Sequence, residues 1–333
     1  MLDQFRELPK ADLHVHLEGT VTPKTLQLLA KKNKVSLSEP TVLPGYPPIP
    51  APKPESTHGY FRGDFREFIR LYVKISSTIQ SADDLLFVAE SYLQSAIREN
   101  ILAAEIYVTP STLLSLGLSE DDLCRGLTAA ESLAQSEYKM RLGWIFDIVR
   151  NSPAPGEQTV EVAERVRKGG ANVIAVGLAG LEAGYPATPF RSSFELARKL
   201  GFRVYAHAGE TAGAESIRET LECIAPDRIG HGIRVLDDPA LLDEIKARNI
   251  PLEVCPWSNI ALGVTSEAAH PLVRLVESGL PVVLASDDPG IFGKSLAENY
   301  FWAHTQGLSV DELRRVAARS LELAGYSSSS SAS

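Results

Sequence analysis

The sequence predicts an α/β fold of the (β/α)8 TIM barrel type, on three observations. Short apolar or β-branched runs alternate eight times with amphipathic, charge-rich stretches, which is the pattern of repeated strand-helix units on a parallel sheet. The polar motifs stand at the C-terminal ends of those predicted strands, where barrels of this kind build their sites. The first and last motifs are separated by most of the 333 residues, so a single fold must bring both ends of the chain to one place.

The first predicted strand, 11–16, lies in Ala11-Asp12-Leu13-His14-Val15-His16-Leu17-Glu18-Gly19. A strand places alternate side chains on one face, so His14 and His16 point the same way. From Pro40 to Pro54 seven prolines remove backbone donors and hold φ, which predicts a loop or partly extended connector inserted after the first strand-helix segment. Phe65, Phe68, Ile69 and Tyr72 recur at i, i+3, i+4 and i+7, the stripe of a helix that faces either the core or a pocket. Further strands are expected at 102–108, 141–148, 172–178, 203–207, 228–230, 251–255 and 282–286, the one at 228–230 having the weakest signal. Two helices, 295–306 and 310–323, follow the last strand. Residues 1–326 are read as one barrel domain, and Ser327–Ser333, nearly all serine, as a disordered tail that has nothing to bury.

Composition narrows the class. A hydrophobic fraction of 44% supplies a core, and 42 acidic against 33 basic residues leave a formal charge of -9. That charge repels phosphate backbones and anionic bilayers, so neither nucleic acid nor a membrane is expected as a partner. Three cysteines (Cys124, Cys223, Cys255), with no C-x-x-C pair, indicate neither a disulfide framework nor a cysteine-rich zinc module. A charged N-terminus and the lack of a long uncharged apolar run point to a cytoplasmic protein.

The motifs then define a chemistry. His207 follows Val204-Tyr205-Ala206, and Asp287 follows Val282-Val283-Leu284-Ala285, so with His14 and His16 three imidazoles and one carboxylate can converge from the first, fifth and eighth strands. Nitrogen and oxygen ligands with room for water are what a catalytic Zn²⁺ uses, and a bound divalent ion generates hydroxide near neutral pH. In His207-Ala208-Gly209-Glu210 the carboxyl is either a helix-start acid or a proton donor beside the metal. His231 stands between Gly230 and Gly232, where a backbone approaches closely, as a buried structural ring or one facing the metal's water. Asp287 and Asp288 are neighbours whose side chains diverge on an extended segment, leaving one for metal and the other for substrate.

The set H-V-H-L-E-G-T, G-L-A-G, H-A-G-E, G-H-G-I-R, E-V-C-P-W-S-N and S-D-D-P-G-I-F, in that order along the chain, resembles the adenosine deaminase family of the amidohydrolase superfamily. The resemblance implies a hydrolase that converts the 6-amino group of a purine to 6-oxo and releases ammonia, with one Zn²⁺ per chain. It implies zinc ligation by His14, His16, His207 and Asp287, protonation of purine N1 by Glu210, orientation of the attacking hydroxide by His231, a hydrogen bond from Asp288 to N7, and the backbone of Gly180 at N3. It also implies an apolar lid helix over the substrate, for which Phe65, Phe68 and Ile69 stand in the right segment, and it puts His16 and Glu18 among the substrate contacts.

Two departures bear on substrate. The family's adenosine deaminases carry an aspartate where Glu18 stands and another where Gly177 stands. The longer Glu18 either crowds an unmodified 5′-hydroxyl or turns elsewhere, and in the second case a 5′-modified adenosine such as 6-aminodeoxyfutalosine fits, with Trp257 either against its aromatic part or in the barrel core. Free adenine is the alternative substrate, and a catalytically inactive purine-binding barrel is the alternative of a different class. A binuclear site lacks its bridging residue near Val176-Gly177-Leu178, and a cytidine-deaminase type lacks P-C-x-x-C. A homodimer is compatible with this reading.

Overall fold

Eight strands occur at the expected places in the computed structural model, which describes residues 1–325: β1 Lys10–His16, β2 Ile101–Val108, β3 Arg141–Val149, β4 Val173–Ala179, β5 Arg203–Ala208, β6 Arg228–His231, β7 Leu252–Val254 and β8 Val282–Leu284. They pair in parallel in the order β1 to β8, each with its sequence neighbour. The ring closes between β8 and β1 through a parallel bridge of Val15 with Asp287, where His16 N–H donates to Asp287 O and Asp287 N–H to His14 O, both at 2.9 Å. The closing bonds therefore involve three of the expected site residues. The serine-rich tail lies outside the described residues.

β7 and β8 are shorter than the sequence patterning suggests. Pro251 has no N–H to give a ladder and Pro256 begins the next helix, Pro256–Ala261, so β7 keeps three residues. β8 stops at Leu284 because Ser286 turns to Asp12, its N–H donating to Asp12 Oδ1 at 3.1 Å, and Asp287 takes a left-handed φ of +62°.

Between β1 and β2 the chain makes helices Pro23–Asn33, Pro54–His58, Phe65–Ser77 and Ala82–Ile97. Thr22, Asp64 and Ser81 cap three of them by accepting a hydrogen bond from the third residue on. The proline-rich connector is a built part of this insertion: Thr41 and Ile49 exchange two backbone hydrogen bonds of 2.8 Å, and Leu43 is buried. Prolines hold it extended while the apolar residues between them fold over the barrel mouth. Helices Leu296–Thr305 and Val310–Leu323 end the described chain, each opened by a serine-glutamate capping box.

The barrel interior below the mouth is filled by Tyr107, Ile145, Ala175 and Tyr205, and the larger core lies between strands and helices. Among the described residues no helix is long and apolar enough to cross a membrane, and the three cysteines are free thiols.

Candidate active site

Strand ends carry the polar groups to the mouth of the barrel, around a cavity of about 250 Å³. His16, His207, Glu210, His231, Asp287, Asp288 and Gly180 all line it, together with Phe65, Phe68, Ile69 and Tyr72 from helix Phe65–Ser77. The stripe thus serves both readings: Phe68 also stacks on Phe292 at 5.5 Å, so one face of the helix is lid and core at once.

His14, His16, His207 and Asp287 come together. His14 Nε2 and His16 Nε2 lie 3.0 and 3.2 Å from His207 Nε2, and 3.7 and 3.4 Å from Asp287 Oδ1. Hydrogen positions follow from the other side of each ring. The carboxylate of Glu253 lies 2.8 Å from His14 Nδ1, and the carbonyl of Leu178 3.1 Å from His207 Nδ1; both accept only, so each ring carries its hydrogen on Nδ1 and offers the Nε2 lone pair. Two such lone pairs facing each other at 3.0 Å repel unless a cation lies between them. Zinc bonds of 2.0–2.2 Å in a tetrahedron set donors about 3.3–3.6 Å apart, and these four separations of 3.0–3.7 Å bracket that range. The donor set fits the ion.

His231 also comes within 4.8 Å of His14, His207 and Asp287, but it presents the opposite character. Leu272 N–H donates to His270 Nδ1 at 3.2 Å, so His270 carries its hydrogen on Nε2 and donates to Asn259 Oδ1 at 3.3 Å. The Asn259 amide then donates to His231 Nδ1 at 3.2 Å. That leaves an N–H on His231 Nε2, 3.7 Å from Glu210 Oε1 and 3.9 Å from Asp287 Oδ2: a donor to an oxygen in the cavity rather than a lone pair for a metal. The ring is held with a φ of +62°, an uncommon backbone for a residue with a Cβ and one that functional sites collect. Gly230 is required here, since a Cβ on it would come within 2.6 Å of His14 Cε1.

Burial without charge compensation sets the titration of the cluster. His14, His16 and His231 are pushed well below the ordinary histidine value by burial and by neighbouring imidazoles, and His207 to about 4, so all four are neutral rings. Burial, with Asp287 and Glu182 nearby, drives Glu210 well above the ordinary carboxyl range, which favours its protonated form. Asp288 is raised well above its usual value by burial and by Asp287, and its Oδ1 has no partner. The two aspartates do not diverge as neighbours on a strand would. The left-handed turn at Asp287 keeps both carboxyl groups on the cavity side.

Glu18 leaves the cavity. Its Oε2 accepts from Tyr72 Oη at 3.1 Å and its Oε1 from Thr109 N–H at 3.2 Å, so the longer acid turns behind the lining and braces it; burial raises its pKa to about 7. Trp257 lies outside the cavity, half-buried at the edge of the main hydrophobic core against which it packs, with Arg62 and Lys294 at 4.9 and 5.0 Å from its ring, so the packing reading and not the substrate one fits it.

Sequence reasoning passed over several residues. Glu253 orients His14, accepts from Tyr107 Oη at 3.2 Å, and pairs at 2.8 Å with Arg228, which also pairs with Glu105 and stacks on Tyr205. A glutamate inside the apolar Leu252-Glu253-Val254 was the available signal. Asp147, at the end of β3, also lines the cavity. Glu182 holds the loop after β5: Oε1 accepts from Gly209 N–H at 2.6 Å, and Oε2 from the N–H groups of Glu210, Thr211 and Ala212 at 3.0, 2.9 and 3.1 Å. Four backbone donors on one carboxylate make a nest that fixes where Glu210 points. Glu182→Ala should lower kcat on the order of 10–100-fold with metal content unchanged, because the acid loses its aim. Metal analysis beside steady-state kinetics checks it.

A barrel with a histidine-aspartate cluster and a buried carboxyl beside it at its C-terminal mouth defines a hydrolytic enzyme of the amidohydrolase class. The family model described as adenosine deaminase matches residues 9–332. An adenine deaminase of Bordetella parapertussis is 34% identical over 326 residues, 97% of this chain and 98% of that one. The crystal structure of an adenine deaminase from Arthrobacter aurescens superposes with a TM-score of 0.85 at 29% identity, over 96% of this chain and 94% of the other. An amidohydrolase from Burkholderia ambifaria, solved with bound Zn, shares the fold with a TM-score of 0.83 at 21% identity, over 98% and 88% of the two chains. The chain belongs to the adenosine deaminase family, whose members depend on a metal. It is a hydrolytic deaminase that acts on purine amino groups.

Proposed function

We propose that the chain is a zinc-dependent deaminase of 6-aminopurine nucleosides that admits modification at the ribose 5′ position. The observation that carries this reading is the extent of the cavity. Glu210, Gly180 and Asp288 suit a purine ring, yet the lining continues through Asp147, Thr109, Thr112 and Asn151 to the apolar Leu43, Ile49 and Phe65. A base alone leaves that polar and apolar extension empty; a sugar with a 5′ substituent fills it. Glu18, drawn toward Tyr72 and Thr109, leaves the 5′ side open.

In this reading His14, His16, His207 and Asp287 hold zinc, which supplies hydroxide near neutral pH when bound. Glu210 carries the proton that purine N1 takes as the ring loses aromaticity at C6, which stabilises the charge developing there. The Nε2–H of His231 orients the attacking oxygen. Asp288, whose burial favours its protonated form, donates to N7, an atom that only accepts. The lid of Phe65, Phe68 and Ile69 excludes water and strengthens each of these contacts.

The names of the relatives favour a second reading, free adenine as substrate. A panel of adenosine, 5′-modified adenosines and adenine, followed by ammonia release, separates the two. The expected order places a nucleoside first by tenfold or more in kcat/KM, since burying one more apolar or aromatic group contributes on the order of 1.5–3 kcal/mol. Adenine as the best substrate would defeat the nucleoside reading.

A further inference from the structure

Three histidines offer themselves to the metal, and two of them have a partner on the far nitrogen: Glu253 for His14 and Leu178 O for His207. His16 is the third. The group facing its Nδ1 is Asp147 of β3, whose Oδ2 stands 3.7 Å away, and Asp147 is a buried carboxylate with no hydrogen-bond partner on either oxygen. An orphaned buried carboxylate is costly unless some state of the protein gives it a donor.

Its place is prepared by the neighbouring strand. Asp147 and Gly177 are register partners on β3 and β4, and a Cβ on Gly177 would lie 2.2 Å from Asp147 Oδ1. Gly177 has a φ that any residue adopts, so its lack of a side chain serves space and not backbone shape. The notch admits the carboxylate of Asp147 beside His16.

We propose that Asp147 is the positioning residue of His16: with metal on Nε2, the ring carries its hydrogen on Nδ1 and donates it to Asp147 Oδ2. Moving from 3.7 Å to a hydrogen bond requires about 0.8 Å, within reach of a side chain that no other bond restrains. Donation to a carboxylate fixes the ring and raises its basicity as a ligand. The inference rests on the reading that His16 is a zinc ligand.

The test is zinc affinity, measured on the full chain by competition with a chromophoric chelator, beside the thermal midpoint of the metal-free protein. Asp147→Ala should bind zinc 10–100-fold more weakly, and Asp147→Asn less weakly than that, because the amide oxygen still accepts. Gly177→Ala, which pushes the carboxylate away without changing its charge, should weaken zinc as well. The double variant Asp147→Ala/Gly177→Ala should be no weaker than Asp147→Ala, since the methyl then has nothing to displace. The metal-free midpoint of Asp147→Ala should equal or exceed that of the wild type, because an unpartnered carboxylate has been removed. Zinc affinity within twofold of wild type with a raised KM would overturn the proposal and make Asp147 a substrate contact. A metal-free midpoint that falls with zinc affinity would make its role merely structural and overturn it equally. A wild-type chain that takes up no zinc would overturn the metal site itself, an outcome distinct from both.

Discussion

Replacing His207 or Asp287 with alanine should remove both bound zinc and turnover, with activity falling on the order of 10⁴-fold or more, because the hydroxide source at neutral pH is lost with the ion. The cluster argues for so large an effect. Its His14 and His16 donors lie 3.0–3.7 Å from those of His207 and Asp287, two lone pairs face each other, and burial holds the rings toward their neutral form, so a cation is what compensates the arrangement. Stability should respond far less than in a zinc-folded module, since the barrel core packs without the ion. The two variants should still differ in stability. Asp287 sits at a φ of +62°, where alanine costs about 1–2 kcal/mol more than in an ordinary conformation, whereas the His207 backbone belongs to a regular strand. Asp288→Ala is the contrast: it should keep zinc and lose kcat/KM. Stoichiometric metal analysis with urea unfolding reads all three, and full turnover without a bound ion would exclude the mechanism.

Glu210→Gln should lower kcat by about 10²–10⁴-fold while zinc and KM change little. The amide keeps the shape and the backbone bond to Glu182 but has no proton to give to N1. Burial and the neighbouring Asp287 and Glu182 push the native carboxyl well above its ordinary range, which favours the form that can act as an acid. Since the interaction removed is one made as charge develops in the ring, the loss belongs in kcat rather than in KM. A zinc-loaded Glu210→Gln with near wild-type turnover would refute the role.

Much of the barrel was readable from the chain because each unit carries its own local signal. A buried parallel strand is a short apolar run, and the charged helix after it has a period of its own, so all eight strands and both final helices occur where patterning expects them, with only β7 and β8 shortened. Motif residues that terminate such runs, His16, His207, His231 and Asp287, were legible for the same reason. The misplacements came where a long-range partner overrides the local preference. β8 ends early because Asp12, 274 residues away in sequence, accepts from Ser286 N–H. The Pro40–Pro54 connector folds over the mouth because Leu43 and Ile49 find apolar partners there, which no local pattern announces.

By itself, then, the sequence determined the barrel, the histidine and aspartate positions that face its mouth, and the deaminase family to which they belong, since periodicity and motif spacing are properties of the chain. Only the tertiary structure decided which nitrogen of His14, His207 and His231 carries the hydrogen, that Glu18 turns behind the lining, that Glu182 holds the loop of Glu210, and that Asp147 fills the notch over Gly177. Those are matters of a few ångströms between residues on different strands. Hydrogen-bond direction and burial act over that distance, and they exist only once the ring of strands has closed.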